Sequence, residues 1–331
     1  MRTALIALTA ALAACGGDDA AAVDAAPEPD AASLPPLALG MTLHLENTTF
    51  DAAYFASLDG FARTFEAHGG RLTFEPRTQV VTAAAGGLFD WRTLEARGHA
   101  IGSHAAVGGT TSMTLGDFTD QVRMRYQQLA PRVDRLDHVS GTCGDVDWVT
   151  GVVAAGFKAA TASTVLCLYA MAPADRPAPY QTLACSGPTD ATCHHSYPDT
   201  LPARIHPWRA ATGAHWLTDD PAGGLVILPG SGSLPCLEEE ATSSTLSNCT
   251  FTAEDVTRAL ADLDAAIAVR DPGQLNTYYW VWGSWKISAA EAPVLEAFLD
   301  ELDARRAAGT IAWASVAEMY DAYVAWEAAH R

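Results

Sequence analysis

The chain has 331 residues, 49% of them apolar, and a formal charge of −19 at pH 7. That length allows one large domain or two average ones, and the apolar share excludes a wholly disordered chain. The acidity makes nucleic acid and anionic lipid surfaces poor partners.

The N-terminus reads as an export signal. MRTALIALTAALAAC has an arginine, an apolar run and small residues before Cys15, a pattern too short for a stable membrane span. Leu12-Ala13-Ala14-Cys15 resembles the bacterial lipobox, in which the cysteine is lipidated and becomes the first mature residue. The expectation is a signal over 1–15, a lipid anchor on Cys15 and an exported envelope location, periplasmic or on the outer surface. Residues 16–38 are rich in Ala, Asp and Pro and show no apolar period, so they read as a disordered tether. The folded part then covers 39–331.

From residue 39 strand and helix patterns alternate. GMTLHLE (40–46) is a strand and 51–70 a helix stopped by a glycine pair. RLTFEP (71–76) is a strand, 88–98 a helix, and HAIGSH (99–104) a strand. A long helix follows and ends near Pro131. DHVSGTC (137–143), a short helix and FKAATAS (157–163) continue the rhythm. The stretch 169–223 breaks it with prolines, two cysteines and aromatic patches, and reads as a loop insertion held by disulfide. GGLVILPG (223–230) is again a strand. A helix capped by Thr252 with Glu254 behind it follows, then the strand LNTYYWVWG (275–283). A helix ending at Gly309, the strand TIAWAS and a last helix complete the chain. Seven or eight strands, each usually followed by a helix, predict an α/β fold with parallel strands. A single distorted (β/α)7-8 barrel fits best, with an open doubly wound sheet as the alternative. No GxGxxG follows a strand, so a dinucleotide site lacks support.

Besides Cys15 there are six cysteines. An even number in an exported chain points to disulfides, and six allow fifteen pairings. Spacing favours Cys185 with Cys193, Cys236 with Cys249, and Cys143 with Cys167. A zinc site on Cys193, His194 and His195 is the rival, but no CxxC pair supports it.

In a barrel of this kind chemistry sits at the C-terminal ends of the strands. His44 and Glu46 are two apart on the first strand and so share a face. Glu75 ends the second strand, His104 the third, and Asp145 and Asp147 follow the fourth. Trp280, Trp282 and Trp285 cluster at a late strand end, where exposed rings suit the C–H faces of sugars. His99 begins its strand and reads as a packed residue, and the histidines of the insertion read as loop residues.

The order of elements and several strings resemble the polysaccharide deacetylase family, with its distorted (β/α) barrel. LENTT (45–49) stands where that family has a T-F-D-D-like motif, and GHAIGSHAAVG (98–108) resembles its G-H-E-I-G-N-H-T-x-x-H. RLTFEP, residues 141–163 and TIAWASVAEM (310–319) resemble further family segments. The likeness covers about residues 40–325, loosely over 169–223. By this resemblance Glu46 stands at the general base, Asn47 at one metal ligand and His104 at another. The departures are as informative. Asn47 replaces a carboxylate, Gly108 replaces the second metal histidine, and Ser140-Gly141-Thr142-Cys143-Gly144 replaces R-x-P-Y-G. Trp282-Gly283-Ser284-Trp285 stands where a late histidine would be the general acid. A divalent cation, zinc above all, would therefore need His44 as a further ligand, with Glu46 or Glu75 as a third.

Three functions follow as expectations. The first is a lipid-anchored, monomeric envelope protein that removes acetyl groups from a polysaccharide by metal-assisted water attack, with Glu46 and His44 at the chemistry. Glu75, Asp145, Trp282 and Trp285 would line the substrate. The second is a barrel without catalysis that binds glycan or a protein partner. The third is a glycoside hydrolase pairing Glu46 with Glu75 or Asp145.

Overall fold

Strand β1 (Leu37–Leu45) organises the molecule, because three other strands pair with it. Its sequence LALGMTLHL is apolar almost throughout, as suits a parallel strand covered on both faces. The structure, a computed structural model, describes residues 34–46, 49–109, 113–185, 190–237, 249–283 and 288–331. Leu34–Arg331 forms one compact unit.

One edge of β1 takes β9 (Thr277–Gly283) in parallel along Ala38–His44. The other edge is shared. β10 (Ile311–Trp313) pairs with Leu37–Leu39, and β2 (Leu72–Pro76) with Met41–Leu45. β2 then carries β3 (Ala100–Ile101). A second five-stranded sheet runs β4 (Ser103–His104), β5 (His138–Ser140), β6 (Ala159–Thr161), β8 (Leu225–Leu228), β7 (Trp208–Ala210). All its pairings are parallel except β7 on β8.

β3 and β4 are one run of chain interrupted at Gly102. A Cβ there would lie 2.1 Å from the ring of His138, so only glycine fits. Beyond β8, Ser231 N donates to Tyr279 O and Val281 N to Gly232 O, both at 2.9 Å, so the second sheet also touches β9.

The strand begins three residues before the polar–apolar alternation suggests. Leu37 N donates to Thr310 O and Ala38 N to Asn276 O, so 37 and 38 belong to the fold and not to the tether.

Six helices of eight residues or more are found among the described residues: α1 (Ala52–Ala67), α2 (Leu115–Leu129), α3 (Trp148–Ala155), α4 (Ala253–Ala268), α5 (Ala292–Ala307) and α6 (Val316–His330). Their starts are chemically marked. Asp51, Thr114, Asp147, Thr252 and Ser315 each accept a backbone N–H of the first turn, which satisfies donors that the helix cannot. The acid of the Thr252 capping box is Asp255, not Glu254. None of the described helices is long and apolar enough to cross a membrane.

The insertion is more structured than its prolines suggest. It supplies two short helices, Ala191–His194 and Leu201–Ile205, and the strand β7. Tyr197, Trp208 and Trp216 from it are buried, and this apolar payload draws it onto the sheet. The three disulfides favoured by spacing are present: Cys143–Cys167, Cys185–Cys193 and Cys236–Cys249. They fit an oxidising, exported environment. Cys15 and the signal lie outside the described residues.

Candidate metal centre

The period of two along β1 separates its faces. Leu43 pairs in register with Trp282, and both are buried against the helices, where Trp282 meets Phe61 and Phe251 with ring centroids 5.5 and 4.8 Å away. His44 lies on the opposite face, in register with Glu75 of β2 and with Gly283 of β9. Trp282 is therefore core and not a sugar-stacking ring, which corrects that expectation. Its burial follows from the aromatic side chains that α1 and Phe251 place over it. Trp285 and Asn47 lie outside the described residues.

Three expected residues converge. His44, Glu46 and His104 bring one ligand atom each within 4.8 Å of one another. The two imidazoles are stacked with centroids 4.3 Å apart. His104 Nε2 lies 2.6 Å from Glu46 Oε1, and Arg77 reaches Glu46 Oε2 at 3.3 Å.

Behind them lies a buried polar layer. His44 Nε2 is 3.0 Å from Glu75 Oε2, which leaves Nδ1 as its other nitrogen. The Thr161 hydroxyl donates to Glu75 Oε1 at 2.6 Å. Ser140 bonds His104 Nδ1 at 2.8 Å and also reaches Glu75. Glu75 thus faces one imidazole directly, and the Ser140 hydroxyl holds the other. His138 Nε2 stands 3.7 Å from Glu75 Oε1, fully enclosed, in the space that Gly102 leaves open. Gly141 serves the same purpose for His104. Its φ is +66°, and a Cβ there would come within 2.8 Å of the imidazole.

Glu75 has no exposed surface. It cannot line a substrate, as its strand-end position suggests, because His44, His138 and Thr161 close over it. Asp145 is exposed in the turn after β5. Asp147 caps α3 and accepts Gly213 N from the insertion, a structural duty. His99 is buried, taking Leu72 N on Nδ1 and facing Glu66 with Nε2, as a packed residue should.

The electrostatics are consistent with two ionised carboxylates. Burial acts to raise the pKa of Glu46, but the bond to His104 and the charges of His104, His44 and Arg77 outweigh it and bring it to about 2. Burial likewise opposes ionisation of Glu75, yet His44, His138 and Ser140 bring it to about 2. His104 is pushed down by burial first and by the charge of His44 next, against the pull of Glu46 and Glu75. A lowered pKa favours neutral imidazole, the form that ligates metal. The Ser140 hydroxyl can accept or donate, so either nitrogen of His104 is free to carry the proton.

The backbone near these strand ends is strained. Among the described residues the non-glycine positions with positive φ are Ala106 (φ 48°), two residues past His104, and Ala162 (φ 50°), next to Thr161. Such conformations cost about 1–3 kcal/mol and cluster at functional sites.

Sequence reasoning missed His138 and weighed His194 only in a rival zinc set with Cys193 and His195, which the Cys185–Cys193 disulfide rules out. His138 lies in a short strand with no motif around it. His194, from the insertion, lies near enough to His44, His104 and Glu46 for their charges to act on it. In comparisons with known proteins, no family model and no curated protein matches the chain.

Proposed function

We propose that the chain is a metal-dependent hydrolase of the polysaccharide deacetylase type, lipid-anchored through Cys15 in the cell envelope and acting on an acetylated glycan. One observation carries it: two imidazoles and a carboxylate meet at the ends of parallel strands, each imidazole backed by a buried partner. Histidine ligands of metal sites are usually held in this way. The contacts of residues 231–233 with β9, and the run 100–104 shared by both sheets, support reading the sheets as one distorted (β/α) barrel.

The two imidazole nitrogens suit zinc, and the Glu46 carboxylate is left for the proton chemistry. His44 and His104 would hold the ion with Glu46 beside it. A cation bound there would polarise an acyl carbonyl and acidify a water molecule.

Glu46 supplies the proton chemistry. Its side chain is 32% exposed whereas that of Glu75 is fully covered, so of the two only Glu46 can reach a water. Ionised at neutral pH, it takes the water's proton as the oxygen bonds to the acyl carbon. It returns that proton to the leaving nitrogen or oxygen as the old bond breaks, and acetate is released. Glu75 and Ser140 keep the imidazoles in place meanwhile. The glycosidase alternative needs a carboxylic acid with a raised pKa, and Glu46 and Glu75 are both lowered.

Purified protein incubated with zinc and dialysed should retain about one equivalent and release acetate from acetylated glycans. If zinc, cobalt and nickel all dialyse away and no acetate appears, the hydrolase reading fails and a glycan-binding scaffold takes its place.

A further inference from the structure

We propose that His194 is a further catalytic residue of this centre, donating a hydrogen bond to the acyl oxygen as negative charge develops on it. The inference rests on the hydrolase reading above and adds to it the donor that faces the substrate from the insertion.

The segment carrying His194 is fastened to the strand ends. Thr164, just past β6, and Ser196 form an antiparallel bridge. Val165 N donates to His195 O at 3.2 Å and Tyr197 N to Ser163 O at 3.1 Å. The Ser163 hydroxyl donates back to Tyr197 O at 2.8 Å, and Gly232 N, past β8, donates to Ser196 Oγ. These bonds lay residues 195–197 across the ends of β6 and β8, on the side of the sheet ends where Thr161 meets Glu75. Asp190 caps the short helix Ala191–His194, accepting Thr192 N at 3.0 Å. Cys193, wholly buried, is tied to Cys185. His194 is thus the outward residue of a rigid mount.

Its neighbour is differently employed. His195 Nδ1 faces Ala191 O at 3.1 Å, and Nε2 lies 3.4 Å from Tyr180 Oη and 3.6 Å from Asp199. The His194 backbone N–H donates to Asp190 O at 2.8 Å, but its imidazole has no hydrogen-bond partner among the described residues, and the residue is exposed. A polar ring held rigidly beside a reactive centre, with its hydrogen-bonding capacity unspent, is placed to serve a ligand.

Its charge state suits a donor of this kind. Desolvation lowers its pKa first, the charges of His44, His104 and His195 lower it further, and Glu46 opposes them. At neutral pH the ring is uncharged and keeps one N–H. A neutral imidazole can stabilise a developing oxyanion, and a preorganised donor of this type typically contributes 10²–10³-fold in rate. The insertion therefore does more than cover the sheet: it brings a further imidazole to the strand ends, over β6 and β8.

The test uses zinc-loaded full-length protein with 4-nitrophenyl acetate and an acetylated oligosaccharide. His194→Ala should lower kcat about 10²-fold with little change in KM and unchanged zinc content. His194→Gln, which keeps an N–H donor, should recover part of the loss. Wild-type kcat in His194→Ala overturns the inference and leaves the hydrolase reading standing. Loss of zinc in that variant also overturns it, since His194 would then be a ligand. Wild-type protein with neither bound zinc nor acetate release sinks both.

Discussion

The His44–Glu46–His104 group at the strand ends and the His68–Asp300–Asp303 group on the helical exterior each bring three donor atoms within 4.8 Å. The first has two imidazoles and one carboxylate, the second one imidazole and two carboxylates, and their surroundings differ further. His68 closes the C-terminal end of α1, with Nδ1 2.7 Å from Asp303 and Nε2 3.3 Å from Glu296, both on α5. Burial acts to lower its pKa, but the two carboxylates outweigh it and raise it. The two acids thus favour the protonated form of His68, which joins two helices, and Arg306 adds a positive partner to Asp303. At the strand ends the reverse holds. His104 is driven toward its neutral form, and its far nitrogen is held by a hydroxyl. Proximity of donors does not by itself make a metal centre. What separates the two groups is the charge that the surroundings favour on the imidazole.

The sharpest way to break this contrast is zinc stoichiometry. His104→Ala should take bound zinc from about one equivalent to none, while His68→Ala leaves it unchanged. Metal analysis after dialysis decides it, and equal losses in both variants would erase the distinction. Next in size is Glu46→Gln, expected to slow acetate release about 10²–10⁴-fold with the fold intact. A variant as fast as wild type would remove Glu46 from the chemistry.

The buried layer sharpens the contrast through stability. Glu75→Ala strips a fully enclosed charge partner from His44 and should cost about 3–5 kcal/mol in urea unfolding. Glu296→Ala, at the exposed cluster, should cost about 0–1 kcal/mol. Comparable costs at the two sites would mean that the enclosure of Glu75 does not matter.

The smallest effect is a pH signature at His68. Its folded pKa lies above the ordinary 6.5, so the folded state holds the proton more tightly. The stabilisation is complete below the unfolded value and fades as pH rises through the folded one. His68→Ala should therefore cost about 0.2–1 kcal/mol at about pH 5 and close to nothing well above the folded pKa. A loss that grows with pH contradicts the clasp.

What could be read from the sequence tracks how local each signal is. His44 and Glu46 announce themselves by a spacing of two at a strand end, and His104 by the GHAIGSH string. The capped helices and neighbouring cysteine pairs are equally local. Glu75 was visible as a strand end but not as a buried anchor, because what covers it comes from Thr161 and His138, both far off in sequence. Trp282 misled for a related reason: alternation places it on one of two faces, and only the aromatic rings of Phe61 and Phe251 show which face is dry. His194 was readable only as part of a Cys193-His194-His195 zinc set, since a proline-rich stretch obscures the bonds that fasten its segment past β6. Gly102 and Gly141 read as ordinary members of the strands 99–104 and 137–143, because the rings that need their space come from neighbouring strands.

The strand that carries His44 is completed by the far end of the chain. Leu37–Leu39 lie against Ile311–Trp313, so ribosomal synthesis delivers the first of these segments long before its partner exists. Until β10 arrives, an apolar stretch of β1 has an open edge, the kind of surface on which unfinished chains associate. The long loop that this pairing closes also makes slow, late docking the expected last act of folding. A nascent chain lacking its final forty residues or so should therefore hold every proposed ligand of the centre in covalent order and still present an unfinished strand to a chaperone.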